Sequence, residues 1–317
     1  MYLWIEQAKE GQAAMKEIGN RPLTELMRLM PGILRRAVEN AGTDLLEEIR
    51  IREGRPVQLL YSDKEKMLTG LIEEGLCART LEALSEHALF VREKELEEGF
   101  LTVRGGCRVG VAGHYVPNNA KSRFAEATSC NIRIAREHKG AADNLMSYLI
   151  HGSGRPKSVL ILSAPGRGKT TILRDAARQL SDGSKIYRGL KVAIADERCE
   201  LAGGSGNTPV LDVGQRTDVM DGCKKAEAME RLIRSMSPDV IVTDELGNME
   251  DAQAALYASA CGIALVASAH AGSMEEAMRK PYLQLLIGNG CFQEVLFLQR
   301  FGNRLVLNSV KRDAVHV

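Results

Sequence analysis

Ser158-Val159-Leu160-Ile161-Leu162 is an apolar run, and Ser163-Ala164-Pro165-Gly166-Arg167-Gly168-Lys169-Thr170-Thr171 follows it without a break. From Ile172 to Leu180 the pattern becomes helical. A buried strand, a glycine-bearing loop and a helix in that order leave few folds open: the strand must pair in a sheet and the helix must cover it. Gly166 and Gly168 let the backbone curl so that successive N–H groups converge on an anion. The helix start adds its partial positive charge at the same point. This is the Walker A arrangement. It predicts that Ala164, Pro165, Gly166, Arg167, Gly168, Lys169, Thr170 and Thr171 contact the phosphates of a nucleotide, ATP. Lys169 reaches the β and γ phosphates and the Thr170 hydroxyl ligates Mg²⁺. The pattern calls for Gly at position 163, where this chain has Ser; nothing in the sequence explains that departure.

Two further apolar runs end in acids. Asp239-Val240-Ile241-Val242-Thr243-Asp244-Glu245 reads as a Walker B strand, with Asp244 holding the Mg²⁺ shell and Glu245 orienting the attacking water. A strand ending in Asp-Glu is weak alone; downstream of a phosphate loop it is strong. Val192-Ala193-Ile194-Ala195-Asp196-Glu197-Arg198-Cys199-Glu200 is the second. In open parallel sheets ligands bind beyond the carboxyl ends of the strands. Asp196, Glu197 and Glu200 therefore either face the crevice of Lys169 or form an ion-pair cluster with Arg198. Ile263 to Ala269 is another such strand, with His270 at its end. A lone histidine is commonly structural, but this position suits a γ-phosphate sensor.

These strands, together with Val295–Leu298, alternate with helical segments from about residue 146 onward. Strands apolar on both faces mean a parallel sheet covered by helices. Before residue 145 the texture differs. Glu47–Tyr61 and Phe100–Val116 read as hairpins, Asn131–Ala135 as a short strand, and residues 80–98 as one amphipathic, Glu-rich helix. Residues 1–20 read as polar and helical, and Gly140–Pro156 as a helix with a Gly/Ser/Pro stretch. The expected division is an α+β domain over 1–145 and a P-loop domain over 146–317, in line with the roughly two domains that 317 residues suggest.

Composition excludes some functions. Net charge is +1, from 42 basic and 41 acidic residues, which argues against a chain built to coat nucleic acid. Aromatics are 4%, too few for a stacking platform. No apolar run approaches the roughly 18 residues of a membrane span, and Glu6, Lys9 and Glu10 interrupt any signal-peptide pattern. No direct membrane insertion is expected. The seven scattered cysteines contain no C-x-x-C pair and read as thiols of a reducing cytosol.

Phosphate loop, acidic strand, Walker B and histidine strand in that order resemble the secretion ATPases of type II and type IV systems. Ile194–Arg198, Gln215–Cys223, Arg234–Asp239, Gly99–Thr102, Arg108–Gly113 and Asn131–Glu137 resemble the stage III sporulation protein AA family more closely, and the resemblance runs over about residues 20–310. It implies a RecA/AAA+-like P-loop NTPase domain with a mainly parallel α/β sheet behind a smaller α+β domain. It also implies a cytoplasmic homo-oligomer, a hexameric ring, peripheral to the membrane through sporulation channel proteins. Such a motor would couple ATP hydrolysis to movement of the first domain. Secretion ATPases carry their Walker B Glu where Glu245 stands, while many have Gly at the position of Asp244. Glu200 matches an acidic position of their Asp box and is a rival for the water-activating role.

From Leu101 to Arg136 six basic residues stand against Glu126 alone. Three readings stay open. Arg133 or Arg136 reaches a phosphate, in cis or across a ring; the residues line a nucleic-acid groove; or they are a solvated sheet face paired with the acidic stretch 93–98. The rival to the motor reading is a P-loop ATPase that binds nucleic acid. It is disfavoured by the neutral charge balance, and no extra module is expected after residue 310.

Overall fold

The computed structural model describes residues 21–70, 72–118, 121–135, 137–204, 209–301 and 304–309. The expectations for residues 1–20 and for Arg136 lie outside them. The chain divides into two compact units, Met1–Arg136 with Gly203–Leu211, and Glu137–Ala202 with Asp212–Val317.

In the first unit, helices α1 (Arg21–Leu29), α2 (Gly32–Ala41), α3 (Leu76–Leu84) and α4 (Glu93–Glu97) accompany six strands. These are β1 (Leu46–Arg52), β2 (Gln58–Tyr61), β3 (Glu65–Met67), β4 (Phe100–Val103), β5 (Cys107–Asn118) and β6 (Lys121–Arg133). They form one antiparallel sheet in the order β3-β2-β1-β6-β5-β4. Both expected hairpins are present, as β1–β2 and β4–β5. Ile49 and Ile51 alternate inward and are fully buried, beside Leu101, Val109 and Ile132. The strand expected at Asn131–Ala135 is the end of the longer β6. The single helix expected over 80–98 is broken, because Glu86 and His87 take left-handed backbone angles (φ 55° and 60°) that no helix accepts.

The second unit holds β7 (Val159–Ser163), β8 (Val192–Asp196), β9 (Thr217–Asp221), β10 (Val240–Thr243), β11 (Ala264–His270), β12 (Glu294–Phe301) and β13 (Arg304–Ser309). Their order is β13-β12-β7-β11-β10-β8-β9, parallel throughout except for β13. Its helices are α5 (Met146–Leu149), α6 (Lys169–Asp182), α7 (Lys225–Met236), α8 (Met249–Ala260), α9 (Met274–Met278) and α10 (Pro281–Gly288). Of the helix expected in Gly140–Pro156, only α5 is helical.

Strand periodicity splits the core into two layers. Val159, Ile161, Val192, Ile194, Val240 and Val242 pack with Ile172, Leu173 and Leu180 of α6. Leu160, Leu162, Ala193, Ile241 and Leu265 pack with Met229 and Leu232 of α7, Ala255 of α8 and Leu283 of α10. Each fully buried Leu or Ile contributes roughly 1.5–3 kcal/mol, so both faces hold β7 rigid beneath the loop that follows it. The parallel sheet with helices on both faces is the α/β architecture expected from the sequence. Edge strands β9 and β13 escaped the sequence reading. The half-exposed β9 (Thr-Asp-Val-Met-Asp) carries no continuous apolar run.

Candidate active site

The strand order brings the ends of β7, β11, β10 and β8 side by side, although their chain order is β7, β8, β10, β11. Each end carries one of the elements read from the sequence: the Ser163–Thr171 loop, His270, Asp244-Glu245 and Asp196.

The loop turns on two glycines in the left-handed region, Gly166 (φ 70°) and Gly168 (φ 91°), where a side chain is strained. Gly168 caps α6, so Lys169 opens the helix. Ala164 to Arg167 are exposed and Thr171 is half-buried. Lys169 is 5% exposed. Its Nζ lies 3.3 Å from Ser163 Oγ, 3.4 Å from the Ala164 carbonyl and 3.0 Å from His270 Nδ1. Burial lowers the Lys169 pKa, while the charges of Asp244 and Glu245 push it back up. A cation held out of water, with no carboxylate bound directly to it among the described residues, is poised for an anion.

Thr170 Oγ1 donates to Asp244 Oδ2, and Ser268 Oγ donates to Asp244 Oδ1. A hydroxyl and a carboxylate from adjacent elements are the hard oxygen pair that Mg²⁺ prefers. Glu245 is left-handed (φ 50°). Its N–H reaches Ser268 Oγ at 3.0 Å and Asp244 Oδ1 at 2.9 Å. Its carboxylate takes His270 Nε2 at 2.7 Å and Arg198 Nη1 at 2.9 Å. Burial works against ionisation of Glu245, but the His270 hydrogen bond and the charges of Arg198 and Lys169 keep its carboxyl below the usual range.

The acids after β8 have separate tasks. Asp196 is 3% exposed and accepts the N–H groups of Glu200, Leu201 and Ala202 at 2.9–3.0 Å, so it shapes its own loop. Burial raises its pKa against those three hydrogen bonds. Arg174, on α6, holds the same loop from outside: Nε donates to the Leu201 carbonyl at 2.7 Å and Nη2 to the Glu200 carbonyl at 2.6 Å. Glu197 pairs with Lys225 at 3.5 Å. Glu200, Glu197, Arg198, Lys225, Asp244 and Glu245 line one small cleft.

Arg133 belongs to the first unit, 3.4 Å from Glu48. Arg104 pairs with Glu25 at 3.6 Å and Glu86 at 3.9 Å, and Arg108 lies over the Phe100 ring. These acids lie on α1, on β1 and after α3.

Sequence reasoning missed Ser268, Arg174 and Lys225. Ser268 was within reach, since it stands two residues before His270 on the same face of β11. The other two have no spacing signal.

The whole of this geometry lies within a family match. The model of the family described as "Sporulation stage III, protein AA" matches residues 20–311. The chain belongs to the stage III sporulation protein AA family. Stage III sporulation protein AA of Bacillus subtilis (strain 168) is 38% identical over 284 residues, covering 88% of this chain and 91% of that protein. Protein SEEDLING PLASTID DEVELOPMENT 1 of Arabidopsis thaliana is 32% identical over 170 residues, which cover 53% of this chain but 24% of that protein.

Among solved structures, the ATPase DotB of Legionella pneumophila matches with a TM-score of 0.59 at 15% identity, over 88% of this chain and 80% of that one. The pilus retraction motor PilT with bound ADP matches with a TM-score of 0.55 at 18% identity, over 87% and 80%. At these identities they establish the fold alone: the chain shares the architecture of DotB and PilT. Among the described residues no helix is long and apolar enough to cross a membrane.

Proposed function

We propose that the chain is an ATPase of the sporulation family, acting as a secretion-type motor from its P-loop domain, residues 146–317. The observation that carries this is the convergence on one sheet edge of the buried Lys169, the Thr170–Asp244 pair and the Glu245–His270 pair. Ala164–Thr171 bind the phosphates of ATP through backbone N–H groups, and Lys169 neutralises the β and γ oxygens. Thr170 and Asp244 are the residues that would hold Mg²⁺, which, when bound, screens the phosphate charge. Glu245, ionised and aimed by His270 and Arg198, orients the attacking water, with Glu200 as the rival base. His270 touches both Lys169 and Glu245, so it reports the γ-phosphate to the base.

Lys169→Ala should abolish binding of a fluorescent ATP analogue. Glu245→Gln should bind ATP yet turn it over roughly 10²–10⁴-fold more slowly; undiminished hydrolysis would move the base to Glu200. The ring reading rests on the family and fold. It expects a homohexamer, cytoplasmic and attached to the membrane through the sporulation channel proteins, with Arg133 contributing across the ring. Particle mass with and without Mg·ATP tests the ring, and normal turnover in an oligomer carrying Arg133→Ala and Arg136→Ala removes the arginine from it.

A further inference from the structure

Glu245 adopts a left-handed backbone conformation (φ 50°) that is strained for a non-glycine residue, so its surroundings must enforce it. The turn is held almost atom by atom. The Glu245 N–H is taken by Asp244 Oδ1 and Ser268 Oγ. The Leu246 N–H goes to the Ser268 carbonyl at 2.8 Å, and the Gly247 N–H to Asp251 Oδ2 at 2.9 Å. All of those acceptors come from β11, α8 or the turn itself. The Glu245 carbonyl has a different partner, Lys225 Nζ at 2.6 Å, from the first residue of α7.

Lys225 is an unusual residue for that place. A lysine at a helix N-terminus opposes the helix dipole, and Lys224 precedes it. The side chain is nevertheless 10% exposed, with Glu197 at 3.5 Å and Asp251 at 3.9 Å to balance its charge. Burying an ammonium is costly unless paired and hydrogen-bonded, and here one of its three donors is given to a carbonyl of the turn. Lys225 thus joins the loop after β8 to the turn after β10.

We infer that Lys225 is a positioning residue, fixing the Glu245 turn so that its carboxylate meets His270 and the attacking water. The inference rests on Glu245 as the water-orienting residue. A group that acts only through Glu245 should lower turnover without changing binding, and its loss should not add to the loss of Glu245.

The test compares K225M, E245Q and the double variant of the full chain, by steady-state ATP hydrolysis and by binding of a fluorescent ATP analogue. K225M should leave Kd within about twofold and lower kcat by roughly 10- to 100-fold, the scale of a 1 Å misplacement. The double variant should be no slower than E245Q. Wild-type turnover in K225M while E245Q is slow overturns the role of Lys225, as does a multiplicative loss in the double variant. Wild-type turnover in E245Q instead overturns the Glu245 reading and the inference with it. Should K225M fail to fold, K225R carries the test: it keeps the charge beside Glu197 and Asp251 but exchanges a point donor for a planar fork. The same kcat-only loss, absent on the E245Q background, is expected, and unchanged turnover overturns the inference.

Discussion

His270 Nε2 lies 2.7 Å from Glu245 Oε1, and the opposite nitrogen of the same ring lies 3.0 Å from Lys169 Nζ. An ammonium only donates, so Nδ1 is the acceptor and Nε2 carries the hydrogen given to Glu245. One neutral tautomer satisfies both contacts. The ring thereby links Lys169, at the start of α6, to Glu245, after β10, across β11.

That link sets a pH dependence. Glu245 has its folded pKa depressed, with burial opposed by His270, Arg198 and Lys169. Such a group stabilises the fold above its unfolded pKa and loses that contribution as pH falls through the folded value. The stability difference between wild type and E245Q should therefore be flat from pH 8 to about 5 and shrink below about 4.3. Urea unfolding at a series of pH values measures it. A difference already shrinking at pH 6 would mean that the carboxylate is not held ionised by these neighbours.

Lys169 has the opposite balance. Burial lowers its pKa, and a lysine whose folded pKa lies below its unfolded one weakens the fold while protonated, a penalty that fades as pH rises past the folded value. Lys169→Met should raise the melting temperature of nucleotide-free protein by roughly 2–4 °C, on the order of 1 kcal/mol. It should also abolish stabilisation by Mg·ATP. A lower melting temperature would show that the ammonium is already well compensated.

Ser163 Oγ donates to the Ala164 carbonyl at 2.9 Å and accepts from Lys169 at 3.3 Å. Ser163→Gly removes one partner of the lysine. With a hydrogen bond worth roughly 0.5–1.5 kcal/mol, Mg·ATP should bind a few-fold more tightly and the free protein should melt lower. Titration and thermal melts report both, and weaker binding would assign the hydroxyl to the phosphate site instead.

The loop after β8 depends on Asp196 and Arg174. Asp196→Asn leaves one of three N–H groups facing an amide donor, at a cost of about 1–3 kcal/mol. Arg174→Met strips the donors from the Glu200 and Leu201 carbonyls. Both should speed hydrogen–deuterium exchange over residues 197–202. Unchanged exchange in both would show that the loop is held by its other contacts.

The glycine-bearing loop between β7 and α6, the apolar strands and the acidic or histidine strand ends were legible in the sequence because each is a local pattern. A run such as Val159–Leu162 is buried on both faces whatever surrounds it, and Gly166 and Gly168 announce backbone angles that other residues avoid. The broken helix over 80–98 was not legible, because Glu86 and His87 are ordinary residues in a conformation that their neighbours impose. Strand β9 was hidden by its polar, half-exposed composition.

What the sequence by itself determined is the inventory of groups: a lysine in a glycine-bearing loop, a hydroxyl, two carboxylates and a histidine, each at the end of a strand or the start of a helix. Only the tertiary structure decided who meets whom. The order β7-β11-β10-β8 sets His270 beside Ser163 and Thr170 against Asp244, and it gives Asp196 to its own loop and Lys225 to the Glu245 carbonyl. The physical reason is range. Periodicity and backbone propensity act over a few residues, whereas the His270–Ser163, Thr170–Asp244 and Lys225–Glu245 contacts join groups 20 to 107 residues apart. They exist because a packed parallel sheet brings non-consecutive strands together.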